Sequence, residues 1–514
     1  MMSKVYLALP VFLPILGGLF LLAIRSEIVG EKRERYMNIG VEALVLLNSL
    51  IVFWILFKMY SFPEAGEFRL VLFKLFGNLT VMFKLDRMGS VFAGLVAFLW
   101  PLATLFAFEY MKEEHRKPAF FAYYMMTYGV TMGIAFAGSL ITLYLFYETL
   151  TLVTFPLVLH PLTREAARAS RQYLYYSIGG AAFAFLGLVF VLGFSATGNT
   201  EFLPGGVLNP VMAQGKENIL LSIYVMAFFG FGVKTALFPC HGWLPKATVA
   251  PTPVTALLHA VAVVKSGAFA ILRFTYFSFG IEFLKGTWAQ WVVMAAAMIT
   301  IAYGSTMAVR EVHWKRRLAY STISNLSYIL FGATLMSPVG LAAALSHLVA
   351  HAFMKICAFF CAGAVMHQTG KTYIYELEGL GKRMPVTFGC LTISGLSLMG
   401  IPLFAGFISK WNLCQAAFVC GGQASGSNFG WLPYVGVCVI LYSALMTGIY
   451  MLTVSVRAYF PRNEGAVRKG QEKNCDPNWK MLLPLSVFAA AILFIGLHSE
   501  PLMQLLTAIG GEMG

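Results

Sequence analysis

Two lysines stand where a charge is expensive. Lys234 and Lys265 lie in GFGVKTALFPCHGWLPKATVAPTPVTALLHAVAVVKSGAFAILRF, a largely apolar run over 230–274. An ionisable residue inside a membrane segment marks an ion or proton pathway by default. Lysine suits proton transfer because it can lose its proton when desolvated, whereas arginine stays charged. Pro239, Pro245, Pro251 and Pro253 lie between the two lysines. Proline has no N–H, so Pro239 cannot bond to the carbonyl of Thr235, and a helix is expected to break beside Lys234. Irregular backbone at membrane depth survives only within protein or along a wet cavity. The stretch reads as an ion-handling centre.

Other ionisable groups sit in apolar sequence. Glu148 is the one carboxylate of ITLYLFYETLTLVTFPLVL, eight residues into the segment. The alternative is an end residue that snorkels to the interface. His347, His351 and Lys355 follow at spacings of four in LSHLVAHAFMKICAFF. That spacing puts them on one slowly drifting helix face, as a relay would need. HxxxH spacing can bind a metal, but the glutamate of HExxH is missing, and no metal is expected. Lys410 lies eight residues beyond Pro402 in ISGLSLMGIPLFAGFISKW, which Gly400 and Pro402 should interrupt. His259 precedes Lys265 by six residues, on a different face of a continuous helix; it is a relay candidate or a core histidine. His241 follows the first break and can cap or relay. Tyr320, Ser321, Ser324 and Tyr328 could hold ordered water or simply pack helices. Asp86, Glu109 and Arg171 read as membrane-edge residues with a topological role. Eight cysteines are scattered without a CxxC pair, so neither an iron–sulfur nor a zinc site is expected. No GxGxxG follows a strand, and no cofactor is expected in this chain.

The elements that carry these residues must be membrane helices. Of 514 residues, 59% are hydrophobic and 12% charged, about half the charge of a soluble domain. Apolar segments of roughly 20 residues, each enough to span a bilayer, recur along the whole length. The expected fold is an all-α polytopic bundle of about fourteen spans. They lie near 4–24, 37–58, 88–110, 118–137, 140–160, 171–194, 218–239, 253–276, 289–309, 318–336, 340–368, 385–410, 431–457 and 480–498. The first is kept as a span because Val5 to Ile24 is too long for a signal-peptide core and lacks a small-residue cleavage site. FRLVLFKLFGNLTVMFKLD alternates around Gly77-Asn78 and predicts a β-hairpin. No further helix is expected after the last span. The expected division is 1–117 (three helices and the hairpin), 118–460 (the translocating core) and 461–514 (a cytoplasmic loop and the fourteenth helix). Interrupted spans at corresponding places in two halves suggest an inverted repeat.

Charge sets the orientation. The net charge of +14 is better explained by cytoplasmic loops than by nucleic acid. The alternate loops at 25–36, 111–117, 161–171, 240–252, 310–317, 371–384 and 457–480 carry 24 of the 37 Lys and Arg residues. The other loops and segment ends carry 9. Both termini are therefore expected outside a cytoplasmic (inner) membrane, and a cysteine placed in 465–475 should label from the cytoplasm. The four remaining basic residues, Lys234, Lys265, Lys355 and Lys410, are all lysines, so no buried arginine is expected.

VKxxxFPxHxWLPxA, then APTPVTALLHA, then VVKSGAFAILR resemble the antiporter-like subunits of respiratory complex I, of L, M and N type. The family also serves Mrp-type cation/proton antiporters and energy-converting membrane-bound hydrogenases. The resemblance extends from about Asp86 to about Phe460. It implies two inverted five-helix units, helices 4–8 and 9–13, each with a broken helix. It implies that Glu148 pairs with Lys234 and tunes its proton affinity, and that Lys265 is the central proton relay. It implies that the face of His347, His351 and Lys355 bridges two half-channels and that Lys410 is the terminal group of the second. A lysine at 410 resembles the N and L types and the Mrp D type; the M type usually has glutamate. The absence of a long lateral helix after the last span favours the M, N or D type.

Two functions remain open at this point. One is a proton-translocating subunit of a redox-driven complex, with sibling antiporter-like, small membrane and redox subunits as partners in the bilayer. The other is a D-type subunit of a sodium/proton antiporter without redox partners. An oxidoreductase in its own right lacks any cofactor ligand set, and a solute carrier has little use for four buried lysines.

Overall fold

The computed structural model describes residues 4–23, 30–62, 67–196, 198–424, 428–461 and 474–513. Positions 465–473 of the expected labelling loop, and parts of the basic loops at 25–36 and 457–480, lie outside the described residues.

The chain divides into two units. The first comprises 1–234 and 261–285, the second 235–260 and 286–512. In the first unit, α1 (Leu9–Ala23) and α2 (Glu31–Ser61) lead to the hairpin β1 (Phe68–Phe76) and β2 (Leu79–Leu85). The strands are antiparallel, with Phe68 opposite Leu85 and Phe76 opposite Leu79. The Gly77-Asn78 turn lies where the alternation predicted it, with Gly77 at a φ of 52°, a conformation glycine adopts without steric cost. Then come α3 (Arg87–Tyr110), α4 (Lys117–Ala135), α5 (Leu140–Leu159), α6 (Arg164–Phe194) and α7 (Glu217–Gly232). Side chains start three of them: Asp86, Ser139 and Thr163 accept from the backbone N–H of Gly89, Thr142 and Ala166. Each satisfies a donor that the first helical turn leaves open.

In the second unit lies α8 (Thr252–Ala260); the chain then returns to the first unit for α9 (Val263–Arg273). The second unit continues with α10 (Trp288–Arg310), α11 (Trp314–Thr334), α12 (Pro338–Thr369), α13 (Pro385–Met399), α14 (Ala405–Gln423), α15 (Leu432–Tyr459), α16 (Trp479–Leu497) and α17 (Glu500–Gly511). Its centre is α12, in which every residue from Gly340 to Val365 is buried. Helices α8, α11, α13, α14, α16 and α17 all pack on it.

Ten helical segments among the described residues are long and apolar enough to cross a bilayer, the Thr252–Phe279 stretch counted as one. The protein is thus a polytopic, mostly helical membrane protein. Two shorter apolar helices are α7 and α13, each the first part of an expected broken span.

Three expectations need correction. Helix α7 stops at Gly232, seven residues before Pro239. The Val233 N–H is shared between the carbonyls of Phe229 and Gly230, and Ala236 has a φ of 57°, so the chain has already left the helical path when it reaches the proline. The eighth span is not continuous: α8 ends at Ala260 and α9 begins at Val263, around an Ala262 held at φ −78° and ψ −82°. A helix, α17, follows the last span, with Glu500 in its first turn and Pro501 at its start. Its buried Leu506 and Ile509 give it an apolar face, which it lays against α12.

Candidate functional site

In the first unit the helix break and the carboxylate meet. The main chain stops being helical at Gly232, and Lys234 follows in the turn. Close packing places that turn: a Cβ on Gly230 would stand 2.7 Å from the Gly180 carbonyl oxygen, so α6 and α7 touch backbone to backbone. The Lys234 side chain, 1% exposed, points to α5, where its Nζ is 3.9 Å from Glu148 Oε1. It also donates to the Tyr147 carbonyl and lies 3.4 Å from the centre of the Tyr147 ring. A ring face attracts a desolvated cation. Tyr147 is held in turn by its own hydroxyl, which donates to the Phe231 carbonyl at 3.1 Å. Tyr147 carried no signal in the sequence, because its role depends on two helices meeting.

Lys265 is fully buried, in the first turn of α9 just past the interruption. Helix α9 packs against α5 and α7, the helices of the pair. At its far end Arg273 is fully buried, with Nη2 donating to Asp86 Oδ1 at 2.6 Å and Nη1 to Oδ2. Phe202, Phe269 and Phe277 surround the guanidinium at 4.6–5.2 Å. The expectation that no arginine is buried is therefore wrong, and Asp86 is more than an edge residue. Arg273 closes the apolar run and so resembled a span end; its partner lies 187 residues away.

The second unit holds the other candidates. Lys410 reaches back across the second break: its Nζ donates to the carbonyls of Leu398 at 2.6 Å and Met399 at 3.1 Å. These are orphan carbonyls at the end of α13, where a cation is favoured. Gly400, at a φ of 90°, closes that helix. Lys410 Nζ also lies 5.4 Å from the Tyr328 ring centre. Next to Lys410, the Ser409 hydroxyl meets His347 Nδ1 at 3.0 Å, which joins α14 to α12. The His347 ring is 5.1 Å from Tyr328 and 5.8 Å from His351. One turn on, Lys355 Nζ donates to Ser321 Oγ at 2.6 Å and to the Leu318 carbonyl at 3.1 Å. Ser321 is 2.5 Å from the Tyr450 hydroxyl. Ser305, Ser324 and Ser443 form a buried hydroxyl cluster with separations of 2.5–3.0 Å. Of the hydroxyls expected on α11, Ser321 and Tyr328 thus meet α12 and Ser324 joins the cluster with α10 and α15, whereas Ser409, Ser443 and Tyr450 were not foreseen.

The secondary candidates separate. His259 is fully buried in α8, its ring 4.8 Å from that of Phe359, with neither ring nitrogen hydrogen-bonded. The helix is interrupted between it and Lys265, so the face arithmetic of one continuous helix does not apply. His241 is half-buried, edge-on to Tyr303 at 4.6 Å and stacked on Phe238 at 5.5 Å. Pro239 follows a cis peptide bond in the same loop. Lys315, counted among loop charges, is buried and donates to the Ala250 carbonyl at 2.9 Å.

Known proteins share this pattern of sequence and fold. The profile of the family described as NADH:quinone oxidoreductase/Mrp antiporter, TM, matches residues 137–426. The NADH-quinone oxidoreductase subunit N of Desulforudis audaxviator (strain MP104C) is 30% identical over 432 residues, 82% of this chain and 82% of its own length. The A/B subunit of a probable K(+)/H(+) antiporter of Rhizobium meliloti (strain 1021) is 32% identical over 430 residues, 82% of this chain but 40% of that protein. In fold, the chain superposes on one from the membrane-bound sulfane sulfur reductase, an archaeal respiratory membrane complex, with a TM-score of 0.82, 24% identity, and coverage of 99% of this chain and 98% of the other. On the profile match and the relative at 30% identity, this chain belongs to the NADH:quinone oxidoreductase/Mrp antiporter transmembrane family.

Proposed function

We propose that this chain is the proton-translocating, antiporter-like membrane subunit of a redox-driven complex. The observation that carries the reading is the Lys234 ammonium, buried in a helix break and 3.9 Å from a membrane carboxylate. With Glu148 near, Lys234 holds its proton. With Glu148 drawn away, Lys234 releases it toward Lys265. His347, His351, Lys355 and Lys410 handle protons in the second unit, with His259 and His241 as secondary groups. The helix interruptions supply the freedom and water that transfer needs. Electrons and the energy source come from partner subunits.

The reading includes fourteen spans, with α8 and α9 taken as one and α13 and α14 as another, arranged as two inverted five-helix repeats. It keeps the division 1–117, 118–460 and 461–514, and it places both termini outside the cytoplasmic membrane. The second reading, a subunit of a cation/proton antiporter without redox partners, is favoured by the similarity to an antiporter protein. Purification of the chain from its native membrane, with identification of what accompanies it, separates the two. Subunits carrying metal-cluster motifs support the redox complex; antiporter subunits alone support the second. Robust coupled transport by the isolated chain in liposomes would contradict both.

A further inference from the structure

The first four helices contain an ionisable group that the pair of Glu148 and Lys234 does not use. Glu42 lies in α2, seven residues after the charged run Glu31 to Arg35, or about 10 Å further along the helix. The residue is half-buried, but its Oε2 is fully buried and accepts no hydrogen bond from the protein. Asn38 is one turn away on the same face, and its Oδ1 is likewise buried and unpartnered. On α4, which packs on α2, Tyr124 is fully buried with its hydroxyl unpartnered, and it interacts electrostatically with the Glu42 carboxyl.

A polar column continues along α2. Asn48 and Ser49 are buried; Ser49 Oγ is 2.8 Å from the Tyr128 hydroxyl. The Tyr128 ring stacks on Trp100 at 4.9 Å, and Trp100 lies 5.5 Å from Tyr124. Asn48 Oδ1 and Trp100 Nε1 are also buried without a hydrogen-bond partner. Buried polar atoms are almost always paired with protein or ordered water. Five unpaired ones on the packed helices α2, α3 and α4 are suited to bind water.

We propose that Glu42, with Asn38 and Tyr124, forms a second proton-binding site, reached by water along the column from Tyr124 to Asn48. Its carboxyl takes a proton from that water and returns it, without covalent change elsewhere. The titratable groups on the packed helices are few. Over Leu9–Ala23, α1 has none; α3 has Arg87 at its start and Glu109 and Tyr110 near its end, and α4 has Lys117, Tyr123, Tyr124 and Tyr128. Lys117 is already paired with Glu34 at 2.7 Å, so no cation among the described residues claims the Glu42 carboxylate. The site stands whether or not Glu148 and Lys234 move protons.

The test is carbodiimide labelling of the intact complex in lipid bilayers, with dicyclohexylcarbodiimide as the probe. It adds to a protonated carboxyl and leaves an N-acylurea, read by mass spectrometry of the Glu42 peptide. Labelling of Glu42 is expected to fall as the pH is raised and to be lost in Glu42→Gln. Tyr124→Phe should shift the pH midpoint of labelling, and Glu148→Gln should leave labelling unchanged. Infrared titration of the same samples should show one protonated-carboxyl band that Glu42→Gln removes. No label at any pH, together with no band lost in Glu42→Gln, overturns the proposal. So does labelling that sodium prevents at constant pH, which would make the site a cation site.

Discussion

At the scale of single residues, the decisive quantity is the separation of Lys234 and Glu148. At 3.9 Å two unit charges interact by about 4 kcal/mol at an effective dielectric of 20. That is enough for movement of one group to control whether the other keeps its proton, and only if the two act as a unit. Lys234→Ala should therefore reduce coupled transport about as much as Glu148→Gln, and the double variant should be little worse than either. Proton transport by the assembled complex checks this; additive losses would show two independent roles. Asp86 and Arg273 make a contrasting prediction. A fully buried guanidinium in a ring of aromatics is a structural clamp, since arginine does not give up its proton. Removing one partner of a buried pair costs about 3–5 kcal/mol, and removing both costs less. Arg273→Met should lose thermal stability in detergent, and Asp86→Asn added to it should restore part of the loss. An Arg273→Met protein of unchanged melting temperature would refute the clamp.

At the scale of elements, the two lysines beside helix breaks use the break differently. Lys410 caps the open end of α13 through the carbonyls of Leu398 and Met399, whereas Lys234 leaves its own break for α5. Gly400 permits the first arrangement: it sits at a φ of 90°, and a Cβ there would come 3.0 Å from Lys410 Cδ. Gly400→Ala combines roughly 1–2 kcal/mol of backbone strain with displacement of that lysine. It should lower both thermal stability and proton transport while the chain still assembles; unchanged transport would detach Lys410 from the path. The break at Gly400 was legible because glycine and proline announce it; Pro239 signalled a break near Lys234, but the helix ends at Gly232, before the proline. The break at 261–262 was not legible, since HAVAVVK contains neither glycine nor proline and its apolar run reads as a continuous helix. The hairpin was legible from Gly77-Asn78 between two β-prone apolar runs. Helix α17 was missed because its twelve residues are too few for a span, although Pro501 after Glu500 is a helix-start signal. Tyr147, Ser409 and the Asp86–Arg273 pair depend on distant segments meeting, and no local pattern announces such a meeting.

At the scale of the whole molecule, the loop charges predict one orientation. Tyr375, exposed in the basic loop after α12, should face the cytoplasm, and Lys216, exposed before α7, should face outside. In a background without reactive native cysteines, Tyr375→Cys should label from the cytoplasm alone and Lys216→Cys from outside alone. The reverse pattern would invert the map. The proposed control of the Lys234 proton by Glu148 has to be measured in the assembled complex. The measurement is proton translocation per substrate turnover in sealed vesicles, comparing Glu148→Gln, which keeps the shape without the charge, with Glu148→Asp, which keeps the charge at shorter reach. Glu148→Gln is expected to abolish translocation by an intact complex, and Glu148→Asp to retain part of it. Full translocation in Glu148→Gln, with the complex intact, would contradict control by Glu148.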